Sequence, residues 1–189
     1  HLAVLIGKQA AGRGIILPAI YFPETTLLPR EGLAVDRPLA LAIARRESEF
    51  RVDAVSPAGA LGLMQLMPGT AKLMATKLGV PDRTAALTTD PGYNARLGSA
   101  YLAHLAEEFG PSLALRAAGY NAGPGRPRAW VVELGDPRRD GVDVIDWVEM
   151  VPFTETRTYI MRVAEGVAIY AARATPDAKV SITPLLRGK

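Results

Sequence analysis

Residues 43–68 read IARRESEFRVDAVSPAGALGLMQLMP, and one acidic side chain in this stretch decides how the chain is interpreted. The stretch begins as a helix whose apolar side includes Leu39 and Ile43. Because residues four apart lie on one face of a helix, Glu47 continues this apolar stripe. Glu49 points about 200° away from Glu47 on the same helix, so we expect Glu49 to be solvated. The sequence therefore places a carboxylate where an apolar side chain would be usual.

Two interpretations of Glu47 are open from the residues alone. In the first, Glu47 is a helix-end carboxylate that pairs with one of the nearby arginines, Arg45, Arg46 or Arg51. In the second, burial keeps its carboxylic acid protonated near neutral pH, so that it donates a proton to a leaving oxygen. The loop Ser56–Gly62 favours the second interpretation, because its small side chains and two glycines allow close approach to the backbone.

The residues around this loop suit a polar, uncharged ligand. Gln65 supplies a neutral donor and acceptor, which fits hydroxyl and acetamide groups. Met64 and Met67 offer adaptable apolar contact. Ser48 is expected to bond a backbone group and so hold the helix end.

The composition is that of a soluble globular protein, with 49% hydrophobic and 22% charged residues. The net charge of +3 comes from scattered lysines and arginines, so nucleic acid is not an expected partner. The chain has no cysteine and two histidines, which leaves no convincing metal site, and we expect no cofactor. No apolar run approaches the roughly 20 residues of a membrane span. The apolar opening Leu2–Ile6 is too short for the core of a signal peptide, so an exported protein would be present here as a mature form or a fragment.

The sequence divides into three parts. Residues 1–36 begin with the end of a helix, followed by glycines and prolines that predict an extended connector. Residues 37–173 form the main domain, and residues 174–189 are predicted to be a loose tail. Within the main domain, caps and periodicity predict helices over 38–50, 68–78, 91–109, 112–118, 143–150 and from 154 onward.

Other features complete the secondary-structure prediction. The last helix should turn five side chains inward, namely Ile160, Val163, Ala164, Val167 and Tyr170. Residues 121–125 are predicted as a turn, and residues 136–146 as an acidic loop. Strand signals are limited to a small hairpin between residues 50 and 62, so the predicted fold class is mainly α.

Four blocks of sequence, in a fixed order, carry a family resemblance. They are Glu47-Ser48 with SPAGALGLMQLMP at 56–68, the segment 90–102, AGYNAGPGR at 118–126, and Glu149 with VPFTETRTY at 151–159. Together they cover roughly residues 37–172. They closely resemble the signature of the soluble lytic transglycosylases of bacterial cell walls, although Gly119 stands where that family usually has alanine.

The resemblance implies a fold, a reaction and a location. The fold is a mainly helical domain like goose-type lysozyme, with a deep groove for a sugar chain. Such enzymes cut the β-1,4 bond between N-acetylmuramic acid and N-acetylglucosamine in peptidoglycan without adding water, and they leave a 1,6-anhydromuramoyl end. The expected partner is the glycan strand, the expected location is the periplasm or bacterial cell envelope, and residues 1–36 would be the remnant of a preceding helical domain.

The same resemblance implies roles for individual residues. Glu47 matches the only essential acid and base. The positions that match substrate-binding residues of the family are Ser56, Gln65, Met67, Tyr120, Asn121 and Glu149.

Several of these residues also have structural explanations. The hydroxyl of Tyr120 could instead be buried and bonded to a backbone carbonyl. Glu149 could form a helix-end ion pair with Arg157 or Arg162. For Arg126, both a solvated position and contact with carboxylates of the peptide stems remain open.

Two other functions remain as alternatives. A hydrolytic muramidase or chitinase would use the same acid but admit water to the reaction. A non-catalytic glycan-binding module would require loss of the acid, whereas Glu47 is present.

Overall fold

The computed structural model describes residues 1–175 and 180–189, and the chain divides into two compact units. Unit 1 is His1–Ala100 and unit 2 is Tyr101–Lys189. The predicted tail falls partly on residues 176–179, which lie outside the described residues. In the part of the chain that the structure describes, no helix is both long enough and apolar enough to cross a membrane.

Helices form most of both units. Unit 1 contains α1 (Leu2–Ala11), α2 (Pro18–Tyr21), α3 (Arg37–Ser48), α4 (Pro68–Lys77), a 3₁₀ turn (Thr84–Thr88) and the start of α5 (Pro91–Phe109). Unit 2 contains the end of α5, then α6 (Leu113–Ala122), α7 (Gly125–Leu134), α8 (Val144–Met150), α9 (Thr154–Ala174) and α10 (Ile182–Arg187). β structure within the described ranges is limited to isolated antiparallel bridges joining Val55, Leu61 and Leu66. The predicted mainly α class is confirmed.

Helix α3 is buried on all sides over its middle turns. Every residue from Leu39 to Ala44 is buried, which is the pattern of a helix inside a protein rather than on its surface. The predicted single apolar stripe is therefore too narrow a description. Glu47 lies in the last turn of α3, just beyond this fully buried stretch.

Within unit 1, two arginines of α3 hold the N-terminal segment against that helix. Arg37 donates to the carbonyl oxygen of Thr25 over 2.7 Å, and Arg45 donates to that of Tyr21 over 2.8 Å. The prediction that residues 12–36 are wholly extended is wrong at α2. The short helix forms there because proline at its first position already has a helical φ angle.

Two helices of unit 2 follow the sequence-based prediction closely. The carboxylate of Asp143 caps α8 by accepting from the backbone N–H groups of Ile145 and Asp146. Helix α9 begins at Thr154, as predicted. The five side chains predicted to face inward are all buried, with no more than 5% of any of them exposed: Ile160, Val163, Ala164, Val167 and Tyr170.

The middle of unit 2 differs from the prediction. Helix α6 continues to Ala122, so Tyr120 and Asn121 lie in its last turn and not in a loop. Helix α7 was not predicted, because Gly123-Pro124-Gly125 indicates a turn. Pro127 is tolerated there because it lies in the first helical turn, where its missing N–H costs no hydrogen bond.

The C-terminal residues are not loose where the structure describes them. Helix α10 packs against α6, α8 and α9. Leu186 is buried, and its carbonyl oxygen accepts a hydrogen bond of 2.8 Å from the hydroxyl of Ser112. The prediction of a loose tail is wrong for residues 182–189, because Leu186 is buried and Arg187 donates to the carbonyl oxygens of Arg139 and Val142.

Candidate active site

Glu47 is half-buried in the last turn of α3. Two of the three arginines considered as its partners are engaged elsewhere. Arg45 bonds the backbone of Tyr21, and Arg51 lies 3.5 Å from the carboxylate of Asp53. Among the described residues, neither of these two arginines forms an ion pair with Glu47.

The chain turns sharply directly after Glu47. Glu49 and Phe50 have φ angles of 52° and 64°, and such left-handed conformations cost about 1–2 kcal/mol for each residue that has a side chain. Backbone strain of this kind is found mainly at functional sites, where surrounding contacts enforce it. The helix consequently ends at Ser48, two residues before the predicted end.

A hydrogen bond, a buried side chain and an ion pair hold this strained turn. The hydroxyl of Ser48 donates to the carbonyl oxygen of Leu63 over 2.7 Å, which confirms the anchoring role predicted for it. Phe50 is buried. The carboxylate of Glu49 forms an ion pair with Lys8 of α1, so the prediction that Glu49 is simply solvated is wrong. The helical geometry behind that prediction does not apply, because Glu49 lies outside the helix.

Ser56 closes a tight turn in the loop after α3. Its hydroxyl oxygen accepts from the N–H of Ala60 over 2.9 Å, and its own backbone N–H donates to the carbonyl of the same residue. A serine hydroxyl carries one proton besides its acceptor sites. Ser56 is half-buried and can therefore donate this proton to a ligand while keeping the loop closed.

The side-chain amide of Gln65 forms hydrogen bonds within the protein that limit what it can offer to a ligand. Its amide nitrogen donates to the carbonyl oxygens of Gly62, over 2.8 Å, and of Ala54, over 3.1 Å. Both partners are acceptors, which fixes the orientation of the amide, and both amide hydrogens are used. Gln65 can offer a ligand only its carbonyl oxygen, so the expected role as both donor and acceptor is reduced to acceptor.

The two methionines of this segment have different environments. Met64 is fully buried and leaves no space for a side chain at Gly98, where an added Cβ would lie 2.6 Å from its sulfur. Met64 is thus a core residue, and the expected ligand contact is wrong for it. Met67 is 45% exposed and remains the candidate for an apolar wall.

Asn94 is a supporting residue whose role the sequence analysis missed. Its side chain is fully buried, accepts from the N–H of Met64 over 2.8 Å, and donates to the carbonyls of Leu61 and Leu87. These three hydrogen bonds fix the loop that carries Gln65. An available signal was its position three residues before Leu97, where a polar amide interrupts the apolar stripe of α5.

In unit 2, Tyr120 and Asn121 project from the last turn of α6. The ring of Tyr120 packs against that of Tyr101, with centroids 5.4 Å apart. Burial raises the pKa of Tyr101 above its ordinary value. The side-chain oxygen of Asn121 accepts a 2.7 Å hydrogen bond from the hydroxyl of Thr156, which joins α6 to α9.

Glu149 is exposed near the end of α8. Arg157 donates to its backbone carbonyl oxygen and not to its carboxylate, and Arg162 pairs with Glu165. The structural alternative of an ion pair with either arginine is therefore not realised. Glu149 lines a cavity of about 160 Å³ with residues of α8, α9 and α10, whereas Asn121 lines a different one.

Neither unit shows a candidate metal centre. Among residues 1–175 and 180–189, no group of three or more histidine, aspartate and glutamate side chains is arranged to hold a metal ion. The groups available for chemistry are a half-buried carboxyl group, amides and hydroxyls, which suit proton transfer to and from an uncharged ligand.

Comparisons with known proteins identify the family to which this chain is similar. The sequence profile described as the Transglycosylase SLT domain matches residues 30–140. A soluble lytic murein transglycosylase of Salmonella typhimurium is 39% identical over 140 residues, which are 74% of this chain and 21% of that relative. The chain thus spans about a fifth of the length of this curated relative.

Solved structures give the same result for the fold. The 70 kDa soluble lytic transglycosylase of Escherichia coli superposes with a TM-score of 0.81 at 33% identity, over 98% of this chain and 29% of that protein. The lytic transglycosylase Slt of Pseudomonas aeruginosa gives 0.78 at 33% identity, with the same coverage of 98% and 29%. That structure is of an inactive mutant in which one glutamate is replaced by glutamine. The predicted lysozyme-like helical fold is confirmed.

Proposed function

The chain belongs to the transglycosylase SLT domain family, and from this premise we propose that it cleaves peptidoglycan as a lytic transglycosylase. The bond cut is the β-1,4 link between N-acetylmuramic acid and N-acetylglucosamine, and the product is a 1,6-anhydromuropeptide. The relatives that support the proposal are named soluble lytic murein transglycosylases. The setting for this activity is the bacterial cell envelope.

The observation that carries the proposal is the position of Glu47. It is half-buried at the end of a buried helix, and a strained turn pinned by Ser48 follows it. Its partial exposure leaves the carboxyl group within reach of a ligand, as proton transfer requires. The pinned turn restricts where the carboxyl group points, and such positioning is a large part of acid–base catalysis.

In the first step, Glu47 protonates the glycosidic oxygen as the bond to the anomeric carbon breaks. Most glycosidases stabilise the resulting cationic sugar with a second carboxylate. Here the 2-acetamido group of the substrate takes that part, in the substrate-assisted variant of the reaction. The family resemblance implies that Tyr120 and Asn121, in the last turn of α6, also contact the substrate.

In the second step, Glu47 acts as a base. Its carboxylate takes the proton from the C6 hydroxyl of the same sugar, and the C6 oxygen attacks the anomeric carbon. An intramolecular nucleophile has a high effective concentration, so it outcompetes water in a closed site. The proton returns to Glu47, and no water is consumed.

Four further side chains are proposed to contact the substrate through groups that remain accessible. Ser56 donates its hydroxyl proton to the sugar, and Gln65 accepts from an acetamido N–H through its carbonyl oxygen. Met67 offers an exposed apolar side chain to a sugar ring. Glu149 offers an exposed carboxylate to sugar hydroxyls.

The test is digestion of purified sacculi with the wild type and with Glu47→Gln. Glutamine has almost the same shape but can neither give nor take a proton in this role, so we expect at least a 1000-fold loss of product, within the range of general acid–base catalysis. Mass spectrometry of the soluble fragments measures the yield of products that are one water lighter than the hydrolytic ones.

The matched control is Asp53→Asn, which removes a carboxylate charge six residues away. It removes the 3.5 Å ion pair with Arg51, an exposed contact that contributes little to stability, and it should keep most of the activity. Substantial turnover by the Glu47 variant, or equal losses in both variants, would refute the assignment.

A further inference from the structure

Helix α1 meets the turn that ends α3 at Glu49. The ammonium group of Lys8 forms an ion pair with the carboxylate of Glu49, and ring atom Nδ1 of His1 lies 3.2 Å from the backbone carbonyl oxygen of the same residue. Residues seven apart are separated by nearly two full turns of a helix, so His1 and Lys8 lie on the same side of α1. One face of α1 is therefore directed at the residue that lies two positions after Glu47.

The helix that Glu49 ends does not explain why a glutamate stands there. Glu49 is the C-cap of α3, with a φ angle of 52° and its backbone N–H bonded to the carbonyl oxygen of Arg45. Glycine is the usual residue in this left-handed position, because it has no Cβ. The dipole at the C-terminal end of a helix also disfavours a negative charge. A glutamate is thus unfavourable for α3 on two counts, and its ion pair with Lys8 is the contact that compensates.

Packing through α2 fixes the place of Lys8 relative to α3. Gly7 lies so close to Tyr21 that an added Cβ would be 2.6 Å from the Cα atom of Tyr21. The backbone carbonyl oxygen of Tyr21 accepts from Arg45 of α3, whose guanidinium carbon lies 4.5 Å from the centroid of the Tyr21 ring. Contacts therefore run from α3 through α2 to α1 and return to α3 at Glu49, so the ammonium group approaches the turn from a fixed direction.

We propose that Lys8 is a positioning residue for Glu47, an inference that rests on the proposed function. The ion pair with Glu49 holds the left-handed turn, and the turn fixes the direction in which the last turn of α3 presents the Glu47 carboxyl group. Lys8 acts through the protein and not by contact with the sugar. Loss of the pair lowers the fraction of molecules in which the carboxyl group is aligned for proton transfer, so it lowers kcat and leaves KM unchanged.

The first experiment measures kcat and KM of Lys8→Met on a soluble glycan of defined length. Methionine keeps the apolar part of the side chain and removes the charge. We expect kcat to fall about threefold to fivefold, the size that a partly exposed ion pair allows, with KM unchanged. Lys8→Arg keeps a cation within reach of Glu49 and should restore most of the loss. An unchanged kcat in Lys8→Met, or an equal loss in Lys8→Arg, would overturn the proposal.

The matched control is Arg83→Met, which removes another partly exposed ion pair of unit 1. The side chains of Lys8 and Arg83 are 51% and 52% exposed, and Arg83 pairs with Asp90 over 3.1 Å. A general loss of stability would affect both variants alike, so kcat should fall in Lys8→Met and stay at the wild-type value in Arg83→Met. Equal falls in the two variants would reduce Lys8 to a structural residue and refute the positioning role.

A double-mutant cycle tests whether Lys8 acts through Glu49. If it does, Lys8→Met combined with Glu49→Gln loses no more kcat than either single variant, because each change removes the same interaction. Losses that multiply in the double variant would show that the two side chains act independently, which contradicts the proposal.

Hydrogen exchange follows the turn without catalysis. The backbone N–H of Glu49 donates to the carbonyl oxygen of Arg45 over 3.1 Å, so its exchange with solvent reports opening of the turn. We expect this exchange to be about threefold to fivefold faster in Lys8→Met than in the wild type, and unchanged in Arg83→Met. The same rate in Lys8→Met as in the wild type would show that the ion pair does not hold the turn.

The outcomes separate the two proposals. If the wild type releases no anhydro product but exchange at Glu49 is faster in Lys8→Met, the proposed function fails and the hold of Lys8 on the turn stands. If the wild type releases anhydro product while kcat and exchange are unchanged in Lys8→Met, the positioning role is refuted and the proposed function stands.

Discussion

Gly62 occupies the most confined position in the loop that carries the candidate substrate contacts. Its φ angle is +75°, and a Cβ at this position would lie 1.8 Å from the carbonyl oxygen of Leu87 and 2.4 Å from the amide nitrogen of Asn94. Both atoms belong to the hydrogen-bonded network that fixes the loop. An added methyl group must therefore displace backbone and cannot be accommodated by rotating a flexible side chain.

We predict that Gly62→Ala lowers the free energy of unfolding by about 3–4 kcal/mol, the size seen when a core network is disrupted. Gly59 is the control, since its φ angle is +86° but no atom lies within 4 Å of the added Cβ. Gly59→Ala should lose only about 1–2 kcal/mol, the cost of the left-handed conformation. Urea denaturation measures both values, and equal losses would show that space at Gly62 is not limiting.

Single residues also show where prediction from sequence stops. The side-chain types at Glu47, Ser48 and Gln65 were sufficient to propose a polar site beside a helix end. The partners of Glu49 and Gln65 were not predictable, because Lys8 is distant in sequence and the two carbonyls that accept from Gln65 belong to a loop without regular structure.

Whole elements were predictable where a local signal marks their ends. Asp143 caps α8 and the Pro68 start of α4 suits a first helical turn, so these boundaries are given by nearby residues. Helix α7 was missed because Gly-Pro-Gly usually indicates a turn, and tertiary packing of Trp130 overrides that preference. Helix α10 was missed because six residues are too few to show a period.

The docking of α10 gives a prediction at the level of the element. Leu186 is 4% exposed, so Leu186→Ala should lower the free energy of unfolding by about 2–3 kcal/mol. Ile182 of the same helix is 43% exposed, and Ile182→Ala should lose less than about 1 kcal/mol. Thermal unfolding followed by circular dichroism tests the pair. Similar small losses in both variants would mean that α10 contributes little to unit 2.

At the scale of the molecule, each of the two units carries some of the residues proposed to act on the substrate. Unit 1 carries Glu47 and the loop with Ser56 and Gln65, and unit 2 carries Tyr120 and Asn121 at the end of α6. The chain covers 29% of the Escherichia coli structure it resembles.

The central claim is that bond cleavage at Glu47 proceeds without water. The most direct test is to digest purified sacculi in water labelled with heavy oxygen and to analyse the new glycan ends by mass spectrometry. We predict anhydro ends that carry no label, because the attacking oxygen is the C6 hydroxyl of the sugar itself. Labelled reducing ends as the main product would contradict the account and identify the protein as a hydrolase.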